Sequence, residues 1–193
     1  EQELDFQIAR VRAEQKFTSN PAFDVTKFRK AVTENPNDLA SNYGLALALS
    51  RNDDHVEAVE RAKDLYRHDA ESVLYTAAYA EVLIEAGRLE QAKEVLSRSL
   101  AYYPDSYPLA MLLAQTLISE ERFGEANAIY KQLSKQRPHD TLIWFQLAET
   151  SGLAGNVTEV HLARAEYFYL NGASHRAFQH LEYAKNLVAG GNR

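Results

Sequence analysis

The sequence contains no cysteine, which excludes every class of protein that depends on thiol chemistry. Disulfide-stapled scaffolds, cysteine-ligated zinc or iron–sulfur centres and thiol nucleophiles all require that residue. Glycine and proline are also sparse, with 8 and 5 residues among 193, so the chain is neither collagen-like nor a low-complexity linker. No apolar run reaches the length of about 18 residues that a membrane-spanning helix needs. Apolar residues make up 46% of the chain and charged residues 25%, which is close to the average for globular proteins and excludes a wholly disordered chain.

Basic residues are neither abundant nor clustered along the chain. The 21 Lys and Arg residues are outnumbered by 27 Asp and Glu residues, which gives a formal net charge of −6. A basic stripe is needed to neutralise nucleic-acid phosphates or to bind an anionic membrane surface. We therefore expect no nucleic-acid partner and no direct membrane insertion. The chain carries no initiator methionine and no secretory signature, and we expect it to be a fragment of a longer gene product.

Residues of one type recur at intervals of 34 along most of the chain. The clearest columns are Ala46, Ala80, Ala114 and Ala148; Ala58, Ala92 and Ala126; and Leu49, Leu83 and Leu117. Within each interval, apolar residues follow one another at steps of three and four, which is typical of a helix with one buried face. Gly87 and Pro104 are suited to end two successive helices. Each interval therefore predicts one helix–turn–helix unit.

This register resembles the tetratricopeptide repeat (TPR). Residues 73–104 carry its characteristic positions as Tyr79, Ala80, Leu83, Gly87, Leu89, Ala92, Leu96 and Pro104. The resemblance implies an all-α fold, an α-solenoid of helix–turn–helix repeats wound as a right-handed superhelix of about ten helices. The predicted parts are an N-terminal helix pair (1–36), four TPR units (37–70, 71–104, 105–138 and 139–172) and a C-terminal capping helix with a frayed tail (173–193). Residues 158–171 are expected to serve two successive units.

The same resemblance implies a concave groove that binds a partner, because repeat positions 2, 5 and 9 face the groove in TPR proteins. The residues at or beside these positions are Tyr43, Leu47, Leu74, Glu81, Glu85, Met111, Gln115, Leu142, Phe145 and Glu149. The predicted groove is thus apolar with acidic spots. For any single residue of this set, a plain core or surface role is the alternative.

No catalytic or metal-binding pattern accompanies the repeats. The motif His-Glu-x-x-His is absent, and none of the six histidines has another histidine four positions away. His175 and His180 are five positions apart, about 140° around a helix, and would converge poorly on one ion. Asp53 and Asp54 lack the spaced oxygen ligands of an EF-hand. We expect a non-catalytic chain that holds no cofactor, and an enzyme in its own right is the least favoured alternative.

Four segments make the chain resemble one group of TPR proteins in particular. Residues 4–13, 37–47, 162–172 and 184–187 are similar to the C-terminal domain of the bacterial beta-barrel assembly-enhancing protease family. Members of that family are periplasmic zinc metalloproteases of Gram-negative bacteria with an N-terminal peptidase domain. The resemblance implies a periplasmic location and zinc only in the missing peptidase domain. The implied partners are that peptidase domain, the outer-membrane assembly machinery and client proteins. The alternative is a stand-alone TPR adaptor with no protease attached.

Overall fold

A computed structural model describes residues 2–190, which form eleven α-helices and no strand. The predicted all-α fold of helix–turn–helix repeats is confirmed, with slightly more helices than expected. The helices are α1 (Gln2–Phe17), α2 (Pro21–Glu34), α3 (Leu39–Arg51), α4 (His55–His68), α5 (Val73–Glu85), α6 (Leu89–Tyr102), α7 (Tyr107–Ser119), α8 (Phe123–Gln136), α9 (Thr141–Leu153), α10 (Val157–Leu170) and α11 (Ser174–Gly190). The right-handed twist stays a prediction.

The helices fall into pairs that follow the 34-residue register. The predicted ranges contain α1 and α2, then α3 and α4, α5 and α6, α7 and α8, and α9 and α10, with α11 in the last range. Residues 191–193 of the predicted frayed tail lie outside the described residues. The chain forms two compact units, Glu1–Leu112 and Leu113–Arg193, so the division falls inside α7.

The first helix of each TPR pair ends in the same backbone turn. A residue with positive φ follows the helix at Asp53 (63°), Gly87 (70°), Glu121 (58°) and Gly155 (78°), which are 34 positions apart. In the second of these turns, the N–H of Arg88 donates to the carbonyl oxygen of Leu83 at 2.8 Å. This is the Schellman arrangement, which satisfies carbonyl groups left free at a helix end. Gly172 (75°) repeats it before α11.

Small residues let the helices of the first unit approach closely. The alanines of the repeated columns in this unit, Ala46, Ala58, Ala80 and Ala92, are all fully buried. Gly44 on α3 also lies close to α2, because an added Cβ would be 2.5 Å from the ring of Phe28. Larger side chains at these positions would push the helices apart.

Helix α1 packs on α3 through a single face. Ile8, Val11 and Gln15 are buried at helical spacing, and Leu4 extends this face as a partly buried residue. The Nε2 atom of Gln15 donates to the carbonyl oxygen of Gly44 at 2.7 Å, which satisfies a buried polar group on each helix. This docking brings the polar residues beside Gln15 next to α3 and α5.

In the second unit, α10 packs on both α9 and α11. Ala163 and Ala165 are buried on α10, and Ala177 and Ala184 are buried on α11. Helix α10 thus lies between α9 and α11. Aromatic and titratable residues lie at each of these two contacts.

Candidate binding groove

Arg12 of α1 links three helices of the first unit. Its Nε atom donates to the hydroxyl oxygen of Tyr43 on α3 at 2.6 Å, and its Nη2 atom forms an ion pair with Glu81 on α5. Burial raises the pKa of Tyr43 to about 12, despite the opposing effect of the Arg12 guanidinium. Burial lowers the pKa of Arg12, but Tyr43 and Glu81 outweigh it and hold that pKa above its ordinary value. Arg12 is therefore a fixed cation rather than a mobile surface charge.

A cavity of about 730 Å³ opens beside this contact, on the side of α1, α3 and α5. Its wall is formed by Arg12, Gln15, Lys16, Pro21, Leu47, Ser50, Arg51, Glu81, Val82 and Glu85. Leu47 supplies apolar surface on α3, Val82 lies fully buried behind the wall on α5, and charged residues surround Leu47. The volume lies within the range of about 300–1,000 Å³ that is common for ligand sites.

Arg51 forms the part of the cavity wall next to the end of α1. It forms an ion pair with the buried carboxylate of Asp24 at 3.6 Å, and it donates to the backbone oxygens of Gln15 and Thr18 at the end of α1, the latter at 2.9 Å. A cation is favourable at a helix C-terminus because the last carbonyl groups carry partial negative charge. Arg51 thus holds the end of α1 against α3 and is itself fully engaged.

The structure brings three of the predicted groove residues together. Leu47, Glu81 and Glu85 line the same cavity in the first unit. Leu74 is partly buried against the core of that unit. Tyr43 differs from expectation, because its side chain is 0% exposed and offers no surface to a partner. The physical reason is that α1 covers it and Arg12 engages its hydroxyl group.

The other predicted residues are placed one by one along α7 and α9. Met111 is half-buried, and Gln115 is exposed on α7. On α9, Leu142 and Phe145 are exposed, and the ring of Phe145 lies 5.8 Å from that of Tyr167. Glu149 forms an ion pair with Arg164 at 3.5 Å. A partner-binding role for these residues stays a prediction.

The repeat register did not identify seven of the ten residues of the cavity wall. Four of them, Arg12, Gln15, Lys16 and Pro21, come from the segment before the four TPR units, and the other three, Ser50, Arg51 and Val82, stand at repeat positions that carry no groove assignment. The available signal was the apolar face of α1, because a helix with one buried face must dock on a neighbour. That signal places α1 near α3 but does not say which polar residues flank the contact.

A histidine pair in the second unit was also missed. The Nδ1 atoms of His161 on α10 and His180 on α11 lie 2.9 Å apart, and the His180 ring stacks on Phe168 with a centroid distance of 5.3 Å. Burial, His161 and Arg164 together lower the pKa of His180. One neutral imidazole donates and the other accepts in such a pair. His175, the partner considered from sequence spacing, takes no part in this hydrogen bond.

Among residues 2–190, no group of three or more metal-ligating side chains is placed to hold an ion. Over the same residues, no helix combines the length and the apolar character needed to cross a membrane.

The chain is a helical-repeat protein of the α-solenoid class. Three features define it as such: the stacked helix pairs, their common turn and the cavity beside the first helices. A sequence model of the tetratricopeptide repeat matches residues 49–116 and 83–148, which together span more than half of the chain. The chain belongs to the tetratricopeptide repeat family. No curated protein matches it.

Solved structures share the fold over almost the whole chain. A thermophilic TPR protein of Thermus thermophilus, TTC0263, is 20% identical, with a TM-score of 0.67 over 96% of this chain and 99% of that one. MamA (41-end) from Desulfovibrio magneticus RS-1 is 13% identical, with a TM-score of 0.58 over 98% of this chain and 97% of that one. At such identities the likeness establishes the fold alone, and the assignment to a periplasmic protease stays a prediction.

Proposed function

We propose that this chain is a non-catalytic protein–protein interaction module that binds a segment of its partner in the cavity formed by α1, α3 and α5. The observation that carries the proposal is the convergence of Leu47, Glu81 and Glu85 on one open cavity with an apolar floor. These residues occupy repeat positions, or lie beside one, that face the groove in TPR proteins. Stacked helix pairs generally present such extended concave surfaces to partners.

The walls of the cavity are rigid, which favours binding. Arg12 and Arg51 tie α1 to α3 and α5 through ion pairs and hydrogen bonds, so the surface is formed before a partner arrives. A preformed site avoids part of the ordering cost that association otherwise carries. A protein segment with an apolar side chain would displace water from Leu47 while its main chain meets the polar rim.

We further propose that the chain is the TPR part of a periplasmic zinc metalloprotease that acts in outer-membrane protein assembly and quality control. In that role it would dock its own peptidase domain, the assembly machinery or client proteins, and zinc would belong to the peptidase domain. The resemblance of residues 4–13, 37–47 and 162–172 to the family supports this proposal. A stand-alone TPR adaptor agrees equally well with the fold and the cavity. A His-Glu-x-x-His segment upstream in the same gene would decide for the protease.

Site-specific photo-cross-linking tests the interaction role. A photoreactive residue at Glu85, in the cavity, should form an adduct with one defined partner in an extract of the source cells, and Leu47→Asp should abolish that adduct. The control carries the same residue at Glu94, which is exposed on α6 outside the cavity. Equal adduct formation at both positions, or no effect of Leu47→Asp in a variant with unchanged circular dichroism, would contradict the proposal.

A further inference from the structure

The charged residues of the cavity divide into those already paired and those left free. Arg12 is paired with Glu81, and Arg51 is paired with Asp24. Within the described part of the chain, the side chains of Lys16 and Glu85 form no ion pair or hydrogen bond, and both are exposed. The cavity therefore presents one available cation and one available anion.

These two free charges lie on opposite flanks of the apolar floor. Lys16 is on α1 and Glu85 is on α5, and both helices pack on α3, which carries Leu47 between them. Arg12 and Glu81, which lie one helical turn before Lys16 and Glu85 on the same two helices, form an ion pair across this space. A short peptide segment is therefore enough to reach both flanks.

A buried hydroxyl group in the same wall is unsatisfied. Ser50 is 5% exposed, and its Oγ atom has no hydrogen-bond partner among the described residues. Buried polar atoms are nearly always hydrogen-bonded, because an unmet one costs free energy. The main chain of an extended peptide carries both donors and acceptors, either of which a hydroxyl group can meet.

Resting on the proposed function, we infer that the cavity takes an extended peptide segment in which an apolar side chain lies between one acidic and one basic side chain. The acidic side chain pairs with Lys16, the apolar one packs on Leu47, and the basic one pairs with Glu85. A wholly acidic segment would meet Glu85 with a like charge, and a wholly basic segment would meet Lys16 in the same way. Charge complementarity thus sets both the identity and the order of the contacts.

A phage-displayed library of random dodecapeptides, selected on the immobilised chain, tests the inference. The enriched peptides should share an acidic and a basic residue with a large apolar residue between them. Lys16→Glu should select peptides in which a basic residue replaces the acidic one, and Glu85→Lys should do the opposite. Glu94→Lys on α6 makes the same change of charge outside the cavity and should leave the selection unchanged.

A quantitative test measures the affinity of one enriched synthetic peptide for the chain and its variants by fluorescence anisotropy. Each charge reversal in the cavity should weaken binding about tenfold, and reversal of the matching peptide charge should restore it. Enriched peptides without paired charges, or an affinity insensitive to Lys16→Glu and Glu85→Lys, would overturn the inference and leave the proposed function standing. If no peptide is enriched above the bare matrix, the proposed function fails as well.

Discussion

The Nε atom of Arg12 donates a hydrogen bond to the Tyr43 hydroxyl oxygen at 2.6 Å across the interface of α1 and α3. The Tyr43 ring beneath this contact is fully buried. Tyr43 occupies a groove-facing repeat position but is a core residue, because α1 covers it. Its substitution should therefore change the stability of the fold rather than the binding of a partner.

Tyr43→Ala should lower the free energy of unfolding by about 3–5 kcal/mol, because a buried aromatic ring is removed and a cavity remains. Phe145→Ala is the comparison: its ring is 44% exposed, and we expect a loss of about 1 kcal/mol or less. Urea unfolding followed by far-ultraviolet circular dichroism measures both. Similar small losses for the two variants would show that Tyr43 is not part of the core.

Tyr43→Phe isolates the hydrogen bond from the packing of the ring. The variant keeps the ring but leaves Arg12 with only Glu81, and a hydrogen bond to a charged group contributes about 1.5–3 kcal/mol. Arg12 is partly exposed and can recover water, so we expect a loss at the lower end of that range. Arg12→Gln in the same background should then cost less than it does in the unmodified chain, and strictly additive losses would exclude the coupling.

The histidine pair between α10 and α11 predicts a dependence of stability on pH. Burial, the neighbouring His161 and Arg164 lower the pKa of His180 below its ordinary value of 6.5. The unfolded chain therefore binds a proton more readily than the folded chain, and stability falls as the pH drops. The contribution is complete above pH 6.5 and is lost progressively below it, because burial and the nearby charge of Arg164 disfavour the protonated form of His180.

His180→Gln should weaken this pH dependence. We expect the urea midpoint of the unmodified chain to fall between pH 7.5 and pH 5.5 by more than that of the variant. His175→Gln is the matched control, since His175 is exposed on the same helix and outside the pair. A pH dependence that is identical in all three proteins would refute a role for the pair.

The recurrent turn predicts that one substitution is stabilising. Glu121 has a φ of 58°, at the position where Gly87 and Gly155 stand in the neighbouring repeats. The left-handed region costs a residue with a Cβ about 1–2 kcal/mol, and glycine removes this strain. Part of the stabilisation is lost again, because glycine also increases the conformational entropy of the unfolded chain. Glu121→Gly should therefore raise the free energy of unfolding by about 0.5–1 kcal/mol.

Asp53→Gly and Gly87→Ala complete the test of the turn. Aspartate adopts the left-handed region more readily than glutamate, so Asp53→Gly should stabilise less than Glu121→Gly. Gly87→Ala should destabilise, although nothing lies within 4 Å of an added Cβ, because its φ is 70°. Thermal melting of the three variants gives the order, and a destabilised Glu121→Gly protein would contradict the assignment of strain to this turn.

The repeat register was enough to predict the helix pairs, because Ala46, Ala80 and their counterparts record the same close contact in successive units. It could not predict the covering of Tyr43, since Arg12 belongs to α1 and has no counterpart in the columns. The pairing of His161 with His180 was missed for a related reason. Spacing along one helix was considered, whereas the two residues meet between antiparallel helices and are 19 positions apart.

The contact of Gly44 with Phe28 predicts a steric coupling between α2 and α3. An added Cβ at residue 44 would lie 2.5 Å from the Phe28 ring, so Gly44→Ala should force the ring aside and cost about 1–3 kcal/mol. Gly124→Ala is the matched control, because nothing lies within 4 Å of its added Cβ in α8 and alanine favours a helix. We expect that control to be neutral or slightly stabilising.

A double-mutant cycle identifies the source of the strain at Gly44. Phe28→Leu shortens the side chain that the new methyl group would strike, so Gly44→Ala should cost clearly less in that background than in the unmodified chain. Contacting residues of this kind show interaction energies of about 0.5–3 kcal/mol in such cycles. If the two losses, measured by urea unfolding, add without interaction, the Phe28 ring is not what excludes a side chain at residue 44.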